Sequence, residues 1–252
     1  MATVARISIA PVKGLGLVHP DEVMLERTGV AANRRFHIVD ADGRRYNQIR
    51  NGELVQIKPE YDADRDHLTL SFPDGNVVAG VVGRGRHVTT DFYGRKVEGH
   101  VVEGPWADAL SSWARRPVLL VQSAPGAAVD RRRGHVSLVS RASLAELGRR
   151  AGAEPVDGRR FRMLFEVDGA KPHEEDEWIK RQLRIGAALV RIRGDVGRCA
   201  ITTQNPETGR PDFDTLRTIA GYRGVREGNI PFGIYGEVVE PGRVALGDSV
   251  HP

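Results

Sequence analysis

Cys199 is the only cysteine of the 252-residue sequence and its most reactive side chain. It follows Gly197 and Arg198 in the segment GDVGRCAITTQNPETG, at the predicted exit of a strand. Glycine lets the backbone come close to a ligand, and an adjacent arginine favours the thiolate over the thiol. A thiolate is a good ligand for a soft metal. Residue type alone leaves one alternative open, an inert thiol buried in the core.

Three polar residues, Thr202, Thr203 and Asn205, follow the cysteine where the predicted strand leaves the sheet. Binding residues are often found on such loops. These side chains either donate hydrogen bonds to a ligand or cap the turn at Pro-Glu-Thr-Gly.

Several other kinds of chemistry are excluded by the sequence. One cysteine cannot form a disulfide framework, a thiolate zinc site or a four-cysteine iron–sulfur cluster. The segment at Gly83 begins like a dinucleotide fingerprint but lacks its third glycine and its helix, and His173 lacks a second histidine four residues on. No phosphate loop and no G-x-S-x-G motif is present. The sequence therefore provides neither a nicotinamide site nor an internal electron relay.

Arginine dominates the basic residues of this mildly positive chain. Lysine and arginine total 37 against 33 acidic residues, a formal net charge of +4. The densest run, 131–133, predicts a solvated loop, and no aromatic residue lies within it to stack on nucleic-acid bases. No apolar run is long enough for a membrane helix, and Arg6 and Lys13 interrupt the N-terminal segment that a signal peptide would need. We expect a cytoplasmic protein with no nucleic-acid or membrane partner.

Hydrophobic alternation predicts the elements that position these residues. Over the first hundred residues, short alternating segments end at Asp-Gly and Pro turns, which is typical of an antiparallel barrel or sandwich. Helical spacing predicts helices over 105–116, 140–152 and 213–223, the second with a capping box of Ser143 and Glu146. The last two strand segments predict a terminal hairpin. The fold class is mainly β (α+β).

Nine segments of the chain, in order, resemble motifs of one family. They are APVKG, GVAANRRFHIVDADGRRYNQIR, HVSLVSRASLAEL, RFRMLFEVDG, EEDEWIKRQLRIG, GRCAITTQNPETG, LRTIAGYR, PFGIYGEVV and GRVALGDSV. The sequence resembles the MOSC family, named after the C-terminal part of molybdenum cofactor sulfurase. It is most similar to the members that include the mitochondrial amidoxime-reducing component. The resemblance implies an N-terminal β-rich domain over 1–115 and a MOSC β-barrel over 116–252 that carries a molybdenum site.

The resemblance implies a pyranopterin molybdenum cofactor. Cys199 matches the cysteine that binds molybdenum and is thus the implied metal ligand and catalytic residue. The implied cofactor-binding residues are Lys13, Arg34, Arg162, Arg198, Thr202, Thr203 and Asn205, of which Lys13, Arg34 and Arg162 would hold the phosphate-bearing tail. Asp176 and Trp178 match the family's Glu-Asp-x-Trp motif, the tryptophan as a core residue and the aspartate near the pocket.

The sequence departs from the family pattern at several motif positions. Gly14 replaces a serine, and Asn33 replaces an aspartate. Met163 and Leu164 replace the Pro-Asn that follows the family's arginine, and Gly197 stands where relatives often carry serine. Because the cysteine and the basic residues are present, these changes bear on the substrate more than on the cofactor.

The resemblance implies an oxidoreductase that reduces small N-hydroxylated or N-oxide-like substrates. Its electrons would come from a partner protein of the ferredoxin, flavoprotein or cytochrome type. Two alternatives stay open. One is a non-catalytic carrier of the cofactor, or of sulfur on Cys199, and the other is a MOSC scaffold that has lost the cofactor.

Overall fold

A closed barrel forms one part of the chain in a computed structural model, which describes residues 1–124, 126–127, 129 and 133–252. In chain order, its strands are β1 (Ala2–Ile7), β12 (Val136–Ser140), β13 (Phe165–Asp168), β14 (Gln182–Ile185), β15 (Ala188–Gly197), β16 (Pro231–Glu240) and β18 (Ser249–His251). Around the barrel they follow the order β1-β13-β12-β16-β15-β14-β18, and the barrel closes because β1 pairs with both β13 and β18. Alternate side chains of these strands fill its core, including Phe165, Leu183 and Ile234.

A second group of sheets packs beside the barrel. Its strands are β2 (Val12–Lys13), β3 (Glu22–Leu25), β4 (Phe36–Asp40), β5 (Arg45–Tyr46), β6 (Lys58–Asp62), β7 (His67–Ser71), β8 (Val77–Val81), β9 (Gly83–Phe92), β10 (Arg95–Glu103), β11 (Val118–Ser123) and β17 (Gly242–Ala245). One sheet has the order β2-β4-β11-β10-β9 with β5 beside β4, another is β6-β7-β8, and β17 pairs with β3. A separate core contains Phe36, Leu68 and Trp106.

Three α-helices lie where the hydrophobic spacing predicts them: α1 (Trp106–Ala114), α2 (Arg141–Arg150) and α3 (Thr215–Arg223). The structure thus confirms the mainly β fold class with a few short helices. The predicted capping box is wrong. Ser140 is the N-cap of α2 and accepts the Ser143 amide N–H, while the Glu146 carboxylate binds Arg149 and Arg150 in the last turn.

The predicted terminal hairpin is also wrong. Strand β16 lies between β12 and β15, so both of its edges are already hydrogen-bonded and neither can accept β17. Strand β17 pairs with β3, and β18 pairs with β1 and β14. Gly242, at the start of β17, lies so close to Ala187 that an added Cβ would be 2.4 Å from its carbonyl carbon.

The chain crosses between the barrel and the neighbouring sheet. Strand β1 belongs to the barrel, whereas β11, which follows helix α1, pairs with β4 and β10 of the other sheet. The division of the chain into two domains at residue 115 stays a prediction. Of the predicted basic loop 131–133, Arg131 and Arg132 lie outside the described residues. In the part of the chain that the structure describes, no helix has the length and apolarity needed to cross a membrane.

His37 is a buried polar residue near the start of β4. Its ring nitrogens lie 3.0 Å from the hydroxyls of Ser123 and Thr90, so the neutral ring has a partner on each side. Burial, and then the neighbouring Lys13, lowers the pKa of His37 to about 3. The folded protein therefore holds this ring neutral over a range of pH in which the unfolded chain protonates it.

Replacing His37 by Gln is expected to reduce the acid sensitivity of the fold. Between pH 6.5 and pH 4 the unfolded chain binds a proton at His37 that the folded chain does not, which lowers the free energy of unfolding by about 3 kcal/mol. This contribution is absent from the variant. Urea unfolding at pH 7 and pH 4 measures it as the difference between the two proteins. An identical loss of stability in both would contradict the buried neutral histidine.

Candidate functional site

A cavity of about 610 Å³ lies between the barrel and the sheet beside it. The barrel contributes the end of β15, Tyr235 of β16 and the segment 160–163. The neighbouring sheet contributes Lys13, Asn47 and the β9–β10 turn. Six of the eight predicted site residues line this cavity: Lys13, Arg34, Arg162, Arg198, Cys199 and Thr202. The structure thus brings together residues from the two ends of the sequence.

Cys199 lies just beyond the end of β15, at the start of a short 3-10 turn over Ala200–Thr203. The Thr202 amide N–H and its hydroxyl both donate to the Cys199 carbonyl oxygen at 3.1 Å, which fixes the backbone of the cysteine. The cysteine itself is exposed and forms part of the cavity wall. The structure contradicts the alternative of an inert thiol buried in the core.

The backbone before Cys199 runs close to a neighbouring turn. A Cβ at Gly197 would lie 2.7 Å from the Asn229 side-chain oxygen. A side chain at this position would require Asn229 to shift, so glycine allows the close approach of the two segments. This close contact forms one side of the cavity.

Hydrogen bonds bring the segments that carry Lys13, Arg34 and Arg162 together in another part of the cavity wall. The Arg162 guanidinium donates to the Leu15 carbonyl oxygen at 2.8 Å, two residues after Lys13. The Arg34 guanidinium donates to the Arg162 carbonyl oxygen at 3.2 Å. These bonds tie the segment after β2 to the segment 158–163 of the barrel side, so the three basic residues share one region of the cavity wall.

The backbone is left-handed at three positions of this wall. Arg34 has φ 55° and Arg162 has φ 52°, a region that residues with a side chain occupy infrequently. Gly14 has φ 97°, which accounts for a glycine at this departure from the family motif. Unfavourable backbone conformations of this kind concentrate at binding sites, where the surrounding structure holds them in place.

The electrostatic environment of the wall is strongly positive. Burial, together with the charges of Arg34 and Arg162, lowers the pKa of Lys13 well below its usual value. The nearby Cys199 makes a smaller contribution that raises the pKa of Lys13. Burial lowers the pKa of Arg162 to about 10. Like charges this close raise each other's cost of ionisation, and a bound anion relieves that cost. The wall is therefore suited to a phosphate or another multiply charged anion.

Arg198 supports the cavity wall. Its guanidinium donates to the carbonyl oxygens of Phe232, at 2.7 Å, and Phe161, at 3.1 Å, and its carbon lies 5.0 Å from the centre of the Phe161 ring. It also contacts the Met163 sulfur at 2.9 Å. Arg198 thereby connects the end of β15 to the segment that carries Arg162.

The structure does not bring Thr203 and Asn205 into the cavity wall. The Thr203 hydroxyl donates to the Ala200 carbonyl oxygen at 2.8 Å. The Asn205 side-chain oxygen accepts the Glu207 amide N–H at 2.8 Å, and its nitrogen donates to Asp212. Their contacts are those of the turn-capping alternative. Thr202 does line the cavity, but its hydroxyl is also bonded to Thr215 at 2.7 Å.

The other motif residues serve the fold. Trp178 and Leu164 are buried in the barrel core, so the leucine that replaces the family's asparagine is a packing residue. Asp176 does not line the cavity and instead accepts a hydrogen bond of 2.6 Å from Arg223. Met163 is buried and contributes to the cavity wall beside Arg198.

Several further cavity residues were not singled out by the sequence analysis, although Asn47, Gln48, Arg160 and Tyr235 lie within its family-like segments. They include Asn47, Gln48, Tyr93, Arg95, Arg160, Asp195, Asn229 and Tyr235. Tyr235 lies in β16 opposite Gly194, where the missing side chain makes room for its ring. The one sequence signal for this contact is the glycine at 194 within the strand, where the register of β15 against β16 shifts.

The fold and site define a class of β-barrel protein in which a thiol and a cluster of basic side chains line one cavity beside the barrel. The chain belongs to the MOSC domain family: the MOSC domain model matches residues 125–251, and the MOSC N-terminal beta barrel domain model matches residues 1–116.

Curated proteins that are similar in sequence include molybdenum cofactor sulfurases and a mitochondrial amidoxime-reducing component. The chain is 29% identical to molybdenum cofactor sulfurase of Drosophila grimshawi over 252 aligned residues, covering 91% of this chain and 31% of the relative. It is 31% identical to mitochondrial amidoxime-reducing component 1 of Xenopus laevis over 124 residues, covering 46% of this chain and 35% of the relative. The chain thus spans about a third of the length of these relatives. The solved structure of the YuaD protein of Bacillus subtilis is similar over 99% of this chain and 94% of its own, with 13% identity and a TM-score of 0.48.

Proposed function

We propose that the chain binds a pyranopterin molybdenum cofactor in the 610 Å³ cavity and reduces small N-hydroxylated or N-oxide-like compounds. One observation carries the proposal: the exposed Cys199 lines the same cavity as Lys13, Arg34 and Arg162. A soft thiolate and a cluster of phosphate-binding cations are the two features that this cofactor needs at its two ends.

The residues present fit such a cofactor. Burial, and then the charges of Arg34 and Arg162, lowers the pKa of Lys13, and an anionic phosphate tail held by these three residues would favour the charged lysine. Cys199 would hold the molybdenum, and metal binding would keep its thiol deprotonated. When bound, the cofactor supplies two-electron reduction of an N–O bond; with two electrons and two protons, a hydroxylamine becomes an amine and water.

The chain's own residues hold the ends of the cofactor at fixed places. Two hydrogen bonds to the Cys199 carbonyl oxygen fix the backbone of the metal ligand. The bonds from Arg198 to Phe161 and Phe232 keep the Arg162 segment beside it. A site fixed in this way is preorganised, so little of the binding free energy is lost in ordering it.

A second candidate function is a carrier of the cofactor, or of a sulfur atom on Cys199, without turnover. The exposed position of Cys199 favours it, and so does the similarity of 91% of this chain to about a third of molybdenum cofactor sulfurase. In this case the cavity and its basic wall would bind the same ligand, but no substrate would be reduced.

Metal analysis and a reduction assay separate these functions. We expect molybdenum close to one atom per chain in protein produced in cells that make the cofactor, and reduction of benzamidoxime by reduced methyl viologen. Molybdenum without reduction of this or another hydroxylamine would favour the carrier. Protein free of molybdenum, and unable to bind the isolated cofactor, would contradict both and favour a scaffold that has lost it.

The isolated chain is expected not to use NADPH. With no dinucleotide fingerprint and no iron–sulfur cysteines in its sequence, neither hydride nor electrons have a route from nicotinamide to the cavity. Benzamidoxime reduction should remain at background with NADPH and begin when a flavoprotein or a similar electron carrier is added. Rapid NADPH oxidation by the chain alone, coupled to product formation, would contradict the requirement for a partner protein.

A further inference from the structure

Among the described residues of the cavity wall, basic side chains outnumber acidic ones. Among the described residues that line it, five carry basic side chains besides Lys13: Arg34, Arg95, Arg160, Arg162 and Arg198. Asp195 is the only carboxylate in that described set. A single acidic group in a wall suited to anions calls for a separate explanation, because it weakens the binding of an anion by charge repulsion.

Asp195 lies near the end of β15, four residues before Cys199. The register of β15 against β16 shifts on both sides of Asp195, and both Asp195 and its neighbour Val196 line the cavity, Val196 also packing in a core cluster with Phe232 and Ile219. The side chain of Asp195 is 32% exposed. The carboxylate and the thiol thus belong to one continuous segment of the wall.

An ion pair holds Asp195 at this position. The Arg226 guanidinium lies 3.6 Å from its carboxylate. Arg226 begins a turn that two backbone hydrogen bonds of 2.8 Å close with Asn229, and Asn229 contacts Gly197 of the same strand. Because Arg226 is more than half exposed, at 58%, the pair is of the weak kind that a competing cation can replace.

The cofactor does not account for this carboxylate. A molybdenum cofactor brings a phosphate and thiolate sulfurs, so a negative side chain repels it. The remaining ligand of the cavity is the substrate. An amidine group carries two N–H donors in a plane, and these match the two oxygens of a carboxylate in the way that a guanidinium does.

We propose that Asp195 accepts hydrogen bonds from the N–H groups of an amidoxime substrate and binds the cationic amidine formed from it, so that the site prefers amidine-type compounds over amides of the same shape. The inference rests on the proposed function, since it assigns the substrate side of the same cavity. The protonated amidine product, formed by reduction of an amidoxime, would then replace Arg226 as the ion-pair partner of Asp195.

Binding of benzamidine and benzamide tests this assignment. The two probes have similar shape, but benzamidine is a cation and benzamide is neutral. Calorimetry on the molybdenum-containing protein is expected to show tighter binding of benzamidine. Asp195→Asn should weaken benzamidine binding about fivefold and leave benzamide unchanged, and Asp195→Glu should keep most of the preference. Arg226→Gln should strengthen benzamidine binding, because it removes the competing cation.

Asp62→Asn is the matched control, since Asp62 forms an exposed ion pair with Arg65 at 3.2 Å outside the cavity. It should change the binding of neither probe. Equal affinity for both probes in the unmodified protein, or unchanged benzamidine binding in Asp195→Asn with an unchanged melting temperature, would overturn the role of Asp195. Molybdenum content, measured on the same samples, reports on the proposed function separately: a full complement of molybdenum with no cation preference refutes only the inference.

Discussion

Replacement of Cys199 by Ser is expected to lower the rate of N–O reduction at least about 100-fold while leaving the fold intact. Serine offers a harder oxygen ligand that is protonated at neutral pH, so it is a poor ligand for the metal of a sulfur-rich cofactor. The absorption and electron paramagnetic resonance spectra of the bound metal should change. Because Cys199 is exposed and its backbone is fixed by Thr202, the melting temperature should shift by no more than about 2 °C.

Ala200→Ser is the control for this substitution, because it adds a hydroxyl at the next exposed position of the same turn. It should keep both the spectrum and the activity. If Cys199→Ser retained full activity and an unchanged metal spectrum, Cys199 would not be the metal ligand. A large loss of stability without any change in the metal would instead assign the thiol to the fold.

Replacement of Lys13 by Met is expected to have opposite effects on cofactor binding and on the stability of the cofactor-free protein. Removing one of three phosphate-binding cations should weaken retention of the cofactor, or of inorganic phosphate as a probe, about tenfold. The fold should become more stable, because the charge of Lys13 is opposed by burial and by Arg34 and Arg162. The methionine chain keeps the apolar contacts of the lysine stem.

The pH dependence gives this prediction a definite sign. The pKa of Lys13 is lowered in the folded protein, so at pH values between that lowered pKa and about 10.4 the unfolded chain holds a proton that the folded chain has released. The free energy of unfolding of the cofactor-free protein therefore rises with pH across that window because of Lys13, and Lys13→Met lacks this contribution. Urea unfolding at a series of pH values measures the difference.

Lys96→Met provides the comparison for Lys13→Met. Lys96 is exposed and lies 3.7 Å from Asp91, outside the cavity. Its replacement should leave both cofactor retention and the pH profile as they are. A Lys13→Met protein that is less stable than the unmodified one and keeps its cofactor would contradict the cationic binding wall.

The sequence was sufficient for the class of fold and for selecting six residues that the structure brings to one cavity. Alternating residues such as those of β7, where Leu68 and Leu70 are buried, predict strands because side chains of a strand alternate between two faces. The ordered motifs identify Cys199 and the basic residues. The pairing of β17 with β3 could not be predicted, since it depends on β16 having both edges occupied by β12 and β15.

The roles of individual polar residues were harder to predict. Arg198 adjoins the cysteine in sequence, but its hydrogen-bond acceptors are the carbonyl oxygens of Phe161 and Phe232, which only the folded chain brings near. Asn205 follows the cysteine closely, yet its local turn uses the hydrogen-bonding capacity of its side chain. Asp195 and Tyr235 were missed because strand alternation does not reveal which face borders a cavity.

The membership of β1 in the barrel has a consequence for the order in which the chain folds. Ala2–Ile7 are synthesised well before their partners in β13 and β18, which lie in the second half of this sequence. Contacts between such distant segments are slow to form, because a large loop must close before they contribute any stability. Strand β1 is thus made long before it can be paired. Until then β13 and β18 present open edges, and the nascent protein depends on the speed of this closure to avoid association with other chains.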